Sequence, residues 1–250
     1  HLHTWASTPI DAQISAFGSF QTNLPAAAHR RKLRELADAF ETAFGFRASA
    51  HRAGRYGLRA RDYGALADIG VAFDFSPSPG FDQSRQGGPD FLTADNAPFV
   101  IAPDGTDAIF VTPVSGARAV NRTRYVLSQT RAAAAAPGRK RVLRAATAPL
   151  RLTCEGRDLA DLQALTRRVL KDGTPVLTFS LHSTTLTAGA NPYAPDEAGV
   201  ARALDVTRRY LAYFTQTLRG EIISLNTLAR LYGAPAPRDE AVKPALSARA

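Results

Sequence analysis

The chain repeats one rhythm, an amphipathic helix, a glycine or proline stop and an extended apolar run, and this limits it to layered α/β architectures. Between Pro25 and Phe44, the residues Leu33, Leu36, Ala37, Phe40, Ala43 and Phe44 recur at three- and four-residue spacing. Pro25 stands at the first turn and Gly45 after the last, the pattern of a helix with one buried stripe. Phe46 to Arg52 then reads as extended. Residues 60–69 predict a short helix closed by Gly70, and Val71-Ala72-Phe73-Asp74-Phe75-Ser76 alternates as a strand that stops at Pro77. The unit returns downstream. Asp158 to Lys171 is amphipathic, Asp172-Gly173 ends it, and Val176 to His182 reads as a buried strand of a parallel sheet. Such alternation predicts an α/β barrel or an open parallel sheet, and in both the site forms where strand C-termini meet loops.

The middle and the end have a different texture. Gly- and Pro-rich loops fill residues 77–98, and the runs Phe99-Val100-Ile101 and Ala108-Ile109-Phe110-Val111 open a β-rich excursion around 99–127. The low-complexity stretch from Arg131 to Arg141 predicts a flexible excursion within one domain spanning 1–232. A long helix is expected from Pro195 to Leu218, with Asp196 and Glu197 favouring its N-terminal end, and a shorter one over 224–232. The tail 233–250 has too little apolar surface to pack and is expected to be disordered.

A chain of 250 residues, 45% hydrophobic, buries one substantial core. The net charge of +9 raises the question of nucleic acid. However, Arg30-Arg31-Lys32 and Arg139-Lys140-Arg141 are short, and no aromatic ladder accompanies them. They predict a solvated basic surface with no nucleic-acid partner, at most weakly drawn to anionic glycans or lipid headgroups. No apolar run approaches the ~18 residues of a membrane span, and no signal-peptide pattern stands at the start. The single Cys154, expected to be buried or half-buried, excludes an internal disulfide and fits a reducing compartment, hence a cytoplasm. Oligomeric state is unconstrained.

Three polar clusters carry the chemistry. In His1-Leu2-His3 the two imidazoles share one face if the segment is extended, and imidazole is the commonest neutral metal ligand. Arg52 to Tyr56 forms the second cluster, with Asp74 and Ser76. His51 alternates with Arg52 and is expected to face away from the site. Asp74 is a carboxylate in an apolar strand and needs a donor or charge, for which Arg52 or Arg55 is the expected partner. His182 with Ser183, at the end of the later strand, is the third. His29, beside Arg30 and Arg31, is expected to be solvated.

In order along the chain, these clusters join further runs: Asn23-Leu24-Pro25, Arg52-Ala53-Gly54-Arg55-Tyr56-Gly57, Asp74-Phe75-Ser76, Gly87-Gly88-Pro89-Asp90-Phe91, Leu181-His182-Ser183 and Asn191-Pro192-Tyr193. With His1-Leu2-His3-Thr4-Trp5 at their head, the set resembles the polysaccharide deacetylases, carbohydrate esterase family four, in the bacterial branch with the run H-L-H-x-W. The resemblance covers roughly residues 1 to 230.

The resemblance implies a distorted (β/α) barrel that removes acetyl from an N- or O-acetylated sugar or a cell-surface polysaccharide precursor with a divalent metal, most often zinc. It assigns His1 and His3 to the metal, His182 to protonation of the leaving group and Arg52 to holding the catalytic base. Asp74 falls on a carboxylate near that histidine. Tyr56, Arg55, Trp5 and Tyr193 would line the substrate cleft. The family's metal histidines are often four residues apart, not two. Its paired aspartates, the base and a further ligand, precede the histidine motif and have no counterpart before His1. Asp11 lacks the context to replace them. If the chain is complete, its barrel lacks the first strand and helix and feeble or no deacetylase activity is expected; the favoured expectation is that the sequence is a truncated piece of a complete enzyme.

Two alternatives belong to other classes. A non-catalytic glycan-binding protein would keep the cleft, with Tyr56, Phe81, Phe91 and Tyr193 as its aromatic lining. A copper polysaccharide monooxygenase would use the amine and imidazole of His1, but the α/β rhythm and the arginine motif disfavour it.

Overall fold

Helix α1 (Ala26–Phe44) stands where the periodicity places it. Gly45, in the left-handed region at φ 75°, ends it by donating its N–H to the Glu41 carbonyl at 2.8 Å. In this computed structural model, residues 1–103, 105–118 and 148–233 are described. The expected flexible excursion 131–141, the excursion beyond Arg118 and the tail beyond Gly233 lie outside the described residues.

The buried stripe of α1 runs from His29 through Lys32 and Leu33 to Ala37, which corrects two expectations. His29 is buried at 4% exposure, and Lys32 is fully buried. The segment before the helix folds over the lysine. Lys32 Nζ donates to the carbonyls of Ser7 and Pro9 and pairs with Asp11 Oδ1 at 2.8 Å. Arg30-Arg31-Lys32 is therefore no uniform solvated surface, because its lysine anchors the segment ahead of it. Asp11 is spent on that anchor and on Arg31.

Strands β1 (Ala50–His51), β2 (Phe73–Asp74), β3 (Phe99–Ile101) and β4 (Ile109–Val111) form a sheet in the order β1-β2-β4-β3. The first three in that order are parallel, and β3 closes the edge antiparallel to β4. Strand alternation assigns the two faces. Phe73 and Phe110 sit in register and meet edge to face with centroids 6.3 Å apart. They pack on Leu228 and Ala229 of a C-terminal helix, α5 (Leu225–Leu231). Ile109 and Val111 face the other way, onto Leu33 and Ala37 of α1 and Tyr63 and Leu66 of α2 (Tyr63–Ala67). Helices on both faces make this central sheet α/β in the ordinary sense.

A second unit holds the antiparallel pair β5 (Gly116–Arg118) and β6 (Pro149–Arg151). Helices α3 (Leu159–Lys171) and α4 (Glu197–Ala212) begin at the aspartates that cap them. Asp158 accepts the Asp161 N–H, and Asp196 accepts the Gly199 N–H. A π-helical turn, Tyr213–Thr217, extends α4. Leu152, Leu162, Leu165, Val169 and Tyr210 form the core between these elements.

Val176 to His182 is extended but belongs to no strand ladder, contrary to the sequence reading. It is tied at single points: Thr178 N–H to Ser115 Oγ at 2.8 Å, and Ser180 N–H to the Leu152 carbonyl at 3.0 Å. The chain it lies beside bends after β6, so no regular register is available. Val176, Leu177 and Phe179 are half-buried against two clusters and not enclosed in one sheet. No helix among the described residues is long and apolar enough to cross a membrane.

Candidate active site

Leu2 positions the first histidines. Its side chain is buried in the α1–α2 core at 1% exposure, and its carbonyl accepts the Gly54 N–H at 2.9 Å. Residues 1–3 join no ladder, yet with Leu2 turned inward, His1 and His3 both turn out into a cleft. Gly54 allows the close approach. A Cβ there would lie 2.5 Å from the Leu2 carbonyl oxygen and 2.9 Å from His3 Nδ1.

The tautomer of His1 follows from its partner. Nδ1 lies 2.6 Å from the Arg52 carbonyl oxygen, which can only accept, so Nδ1 carries the proton and Nε2 keeps a lone pair. That Nε2 is 3.0 Å from Nε2 of His3, the rings standing edge to face with centroids 4.7 Å apart. Partial desolvation lowers the pKa of His3, and charge repulsion with the neighbouring His182, the His1 amine, Arg52 and Arg55 lowers it further, which favours the neutral ring. Ligand nitrogens ~2.0–2.1 Å from a zinc ion stand about 3 Å apart or slightly more, so the pair fits two corners of a metal site. Among the described residues, no group of three His, Cys, Asp or Glu side chains converges to complete one.

The loop after β1 is held from below. Register pairs His51 with Asp74, and both face inward, leaving Arg52 on the cleft side. Asp74 is wholly buried and accepts from His51 Nδ1 (3.0 Å), Tyr63 OH (3.0 Å), and the N–H and hydroxyl of Ser76 (2.9 and 2.6 Å). Burial, together with this carboxylate, pushes the Tyr63 phenol far up. The Asp74 partner is thus His51, not Arg52 or Arg55, and Asp74 does not line the cleft. It acts at one remove, since Ser76 Oγ accepts the Ala53 N–H at 2.9 Å.

Arg55 and Tyr56 both adopt left-handed backbone, φ 53° and 58°, a conformation costing of order 1 kcal/mol or more for each such residue. Several contacts hold it. Gln83 Nε2 donates to the Arg55 carbonyl at 2.9 Å, and the Arg55 guanidinium bonds Ser19 and Gln86 while lying 4.4 Å over the Phe20 ring. The consequence is the placement of the Tyr56 ring. Arg151 stacks on it at 3.9 Å and on Phe81 at 4.0 Å, and Arg52 stands 5.9 Å from the Tyr56 centroid.

The facing wall carries His182. Its Nδ1 lies 2.9 Å from each carboxylate oxygen of Glu155, which also accepts the His182 backbone N–H at 2.7 Å and the Thr185 hydroxyl at 2.5 Å. Burial raises the Glu155 pKa, but the hydrogen bonds from His182 and Thr185 outweigh it and hold the carboxyl at about 2. Glu155 is therefore ionised at any working pH.

The cleft measures about 650 Å³ and is lined by His1, His3, Arg52, Arg55, Tyr56, His182 and Tyr193 among others. Trp5, expected in the lining, is not there, because its indole N–H donates to the Gln13 carbonyl at 3.0 Å and turns the ring to a neighbouring loop. Phe81 lines the cleft and Phe91 does not. Sequence reasoning passed over Arg151, Thr153, Glu155 and Arg157, all of which line it. A signal was present: Arg151, Thr153 and Glu155 alternate with the buried Leu152 and Cys154, a period-two stripe with one polar face.

Comparison with known protein-family models, with curated proteins and with solved structures found no match.

Proposed function

We propose that the cleft is the hydrolytic site of a metal-dependent deacetylase acting on an acetylated sugar or polysaccharide precursor. The observation that carries this reading is the pair of imidazole Nε2 atoms 3.0 Å apart on one wall, with a carboxylate-bound histidine on the other. His1, oriented by the Arg52 carbonyl, and His3 would hold the metal, for which zinc is the first candidate. A bound ion of that kind polarises an acyl carbonyl and makes water more acidic.

The remaining steps belong to the chain's own groups. Tyr56, Phe81 and Tyr193 offer aromatic faces on which a sugar ring can stack. His182 delivers a proton from Nε2 to the departing amine or alcohol, because Nδ1 is engaged by Glu155. Glu155, a fixed negative charge, orients the ring and stabilises its protonated form, the role a carboxylate plays behind a catalytic imidazole. A distorted barrel and a cytoplasmic setting accompany this reading as parts of the proposal.

The test is acetate release from a panel of N- and O-acetylated sugars, with zinc-loaded and chelator-treated protein. Release that chelator abolishes, and that falls about 10²–10⁴-fold in His182→Ala, supports the reading. Chelator-insensitive release rejects the metal. Binding of acetylated oligosaccharides without release from any of them favours the non-catalytic glycan-binding alternative, for which the aromatic lining speaks.

A further inference from the structure

The charges in the cleft do not balance. Arg52, Arg55, Arg151 and Arg157 line it, and Glu155 is the one carboxylate among its lining residues. Two of the arginines are committed elsewhere. Arg55 is bound to Ser19 and Gln86, and Arg157 donates to the Pro149 carbonyl at 3.2 Å and faces Asp161 at 3.7 Å. Glu155 is committed to His182 and Thr185.

Arg52 and Arg151 differ. Neither forms an ion pair with a carboxylate among the described residues. Arg151 spends Nε and Nη2 on a neutral partner, the Ser78 hydroxyl, at 3.2 and 2.9 Å, and its planar group is clamped between the Tyr56 and Phe81 rings. Arg52 approaches the same Tyr56 ring. Two guanidinium groups around one aromatic ring repel each other, and the ring quadrupole offsets only part of that cost. A clamped guanidinium has already lost the side-chain freedom that binding an oxyanion would otherwise take from it.

We infer that Arg52 and Arg151 form a receptor for an oxyanion, a carboxylate or phosphate, carried by the glycan that enters the cleft. This rests on the reading of the cleft as a glycan site, and it narrows the substrate class from neutral acetylated sugars to acidic ones, uronate-containing or phosphorylated.

Binding to the metal-free chain of residues 1–250 tests it apart from catalysis. Calorimetric titration compares N-acetylglucosamine, N-acetylglucosamine phosphate and glucuronate, the two acidic probes separating the two sources of charge. The expected result is at least about tenfold tighter binding of one or both acidic sugars, lost in Arg52→Gln and in Arg151→Gln, and weakened by salt. Arg151→Lys keeps the charge, loses the planar stack, and is expected to recover part of the affinity, which separates charge from folding defects. Equal affinity for acidic and neutral sugars, or acidic binding that survives both Gln substitutions in folded protein, overturns the receptor. Acetate release is scored separately. Acidic sugars that bind through these arginines without being deacetylated leave the receptor standing and refute the enzyme. Deacetylation that is indifferent to charge does the reverse.

Discussion

Glu155 receives His182 twice, through the imidazole Nδ1 at 2.9 Å and through the backbone N–H at 2.7 Å. A single carboxylate thereby fixes both where the histidine sits in the chain and which ring nitrogen faces the cleft. Nδ1 is committed, so any proton passed to a substrate leaves from Nε2. The arrangement is built on a 3-10 turn, Ser183–Leu186, whose Thr185 donates the third bond.

Glu155→Gln keeps the size of the side chain and removes its charge. The expected loss is in kcat, by about 10²-fold, with KM changing little because Glu155 orients the proton donor and does not grip the sugar. Glu155→Asp should recover part of the rate. Steady-state kinetics on the three proteins check this. An unchanged kcat in Glu155→Gln would remove Glu155 from the mechanism.

Gly54→Ala probes the metal pair without touching a ligand. The added methyl would meet the Leu2 carbonyl at 2.5 Å and the His3 ring at 2.9 Å, both too close to coexist with the present geometry, so the first three residues must move. The expected outcome is a stability loss of about 1–3 kcal/mol and a fall in zinc affinity of about 10-fold or more, as when the support of a ligand is removed. Zinc titration with a competing chelator measures the second effect. Retained affinity would mean that His1 and His3 do not act as a pair.

How much of this was legible follows from how local each determinant is. The ends of α1, α3, α4 and α5 were readable because their signals lie within a turn of the boundary: Gly45, Asp158, Asp196 and Ser224 each satisfy the backbone groups their position exposes. Lys32 was unreadable in the same helix, since its burial depends on Ser7, Pro9 and Asp11 folding back over it. Glu155 was silent for a related reason. Its meaning depends on His182, far along the chain, and only the Arg151–Thr153–Glu155 alternation pointed to it. Asp74 was noticed but misassigned, because a parallel register with His51, not proximity to the arginine loop, decides its partner.

Asp74→Asn separates a support from a reacting group. Four hydrogen bonds converge on this buried carboxylate, and an amide can accept at only one of its two ends. The expected cost is about 3 kcal/mol of stability. Since Asp74 touches the cleft loop only through Ser76 and Ala53, kcat per folded molecule should stay within about threefold, far from the 10²–10⁴-fold loss expected of His182→Ala. Urea denaturation and kinetics at a temperature where both proteins are folded distinguish the two roles. A loss matching that of His182→Ala would return Asp74 to the chemistry.

His29 predicts the acid limb of stability. Burial lowers its pKa from 6.5 to about 4, with Asp62 opposing the shift and His51 and Arg30 adding to it. The group is 4% exposed, and its Nε2 has no hydrogen-bond partner among the described residues. Between pH 6.5 and 4 the unfolded chain binds a proton at this position and the folded chain does not, so stability falls as pH falls through that window. Above 6.5 the position contributes no slope. From pH 7 to pH 5 the expected loss from this one residue is about 2 kcal/mol. His29→Leu fills the same buried stripe without titrating, so its urea midpoint should fall less over the interval than that of the parent chain. Parallel slopes for the two proteins would show that His29 is already protonated, or accessible to water, in the folded state.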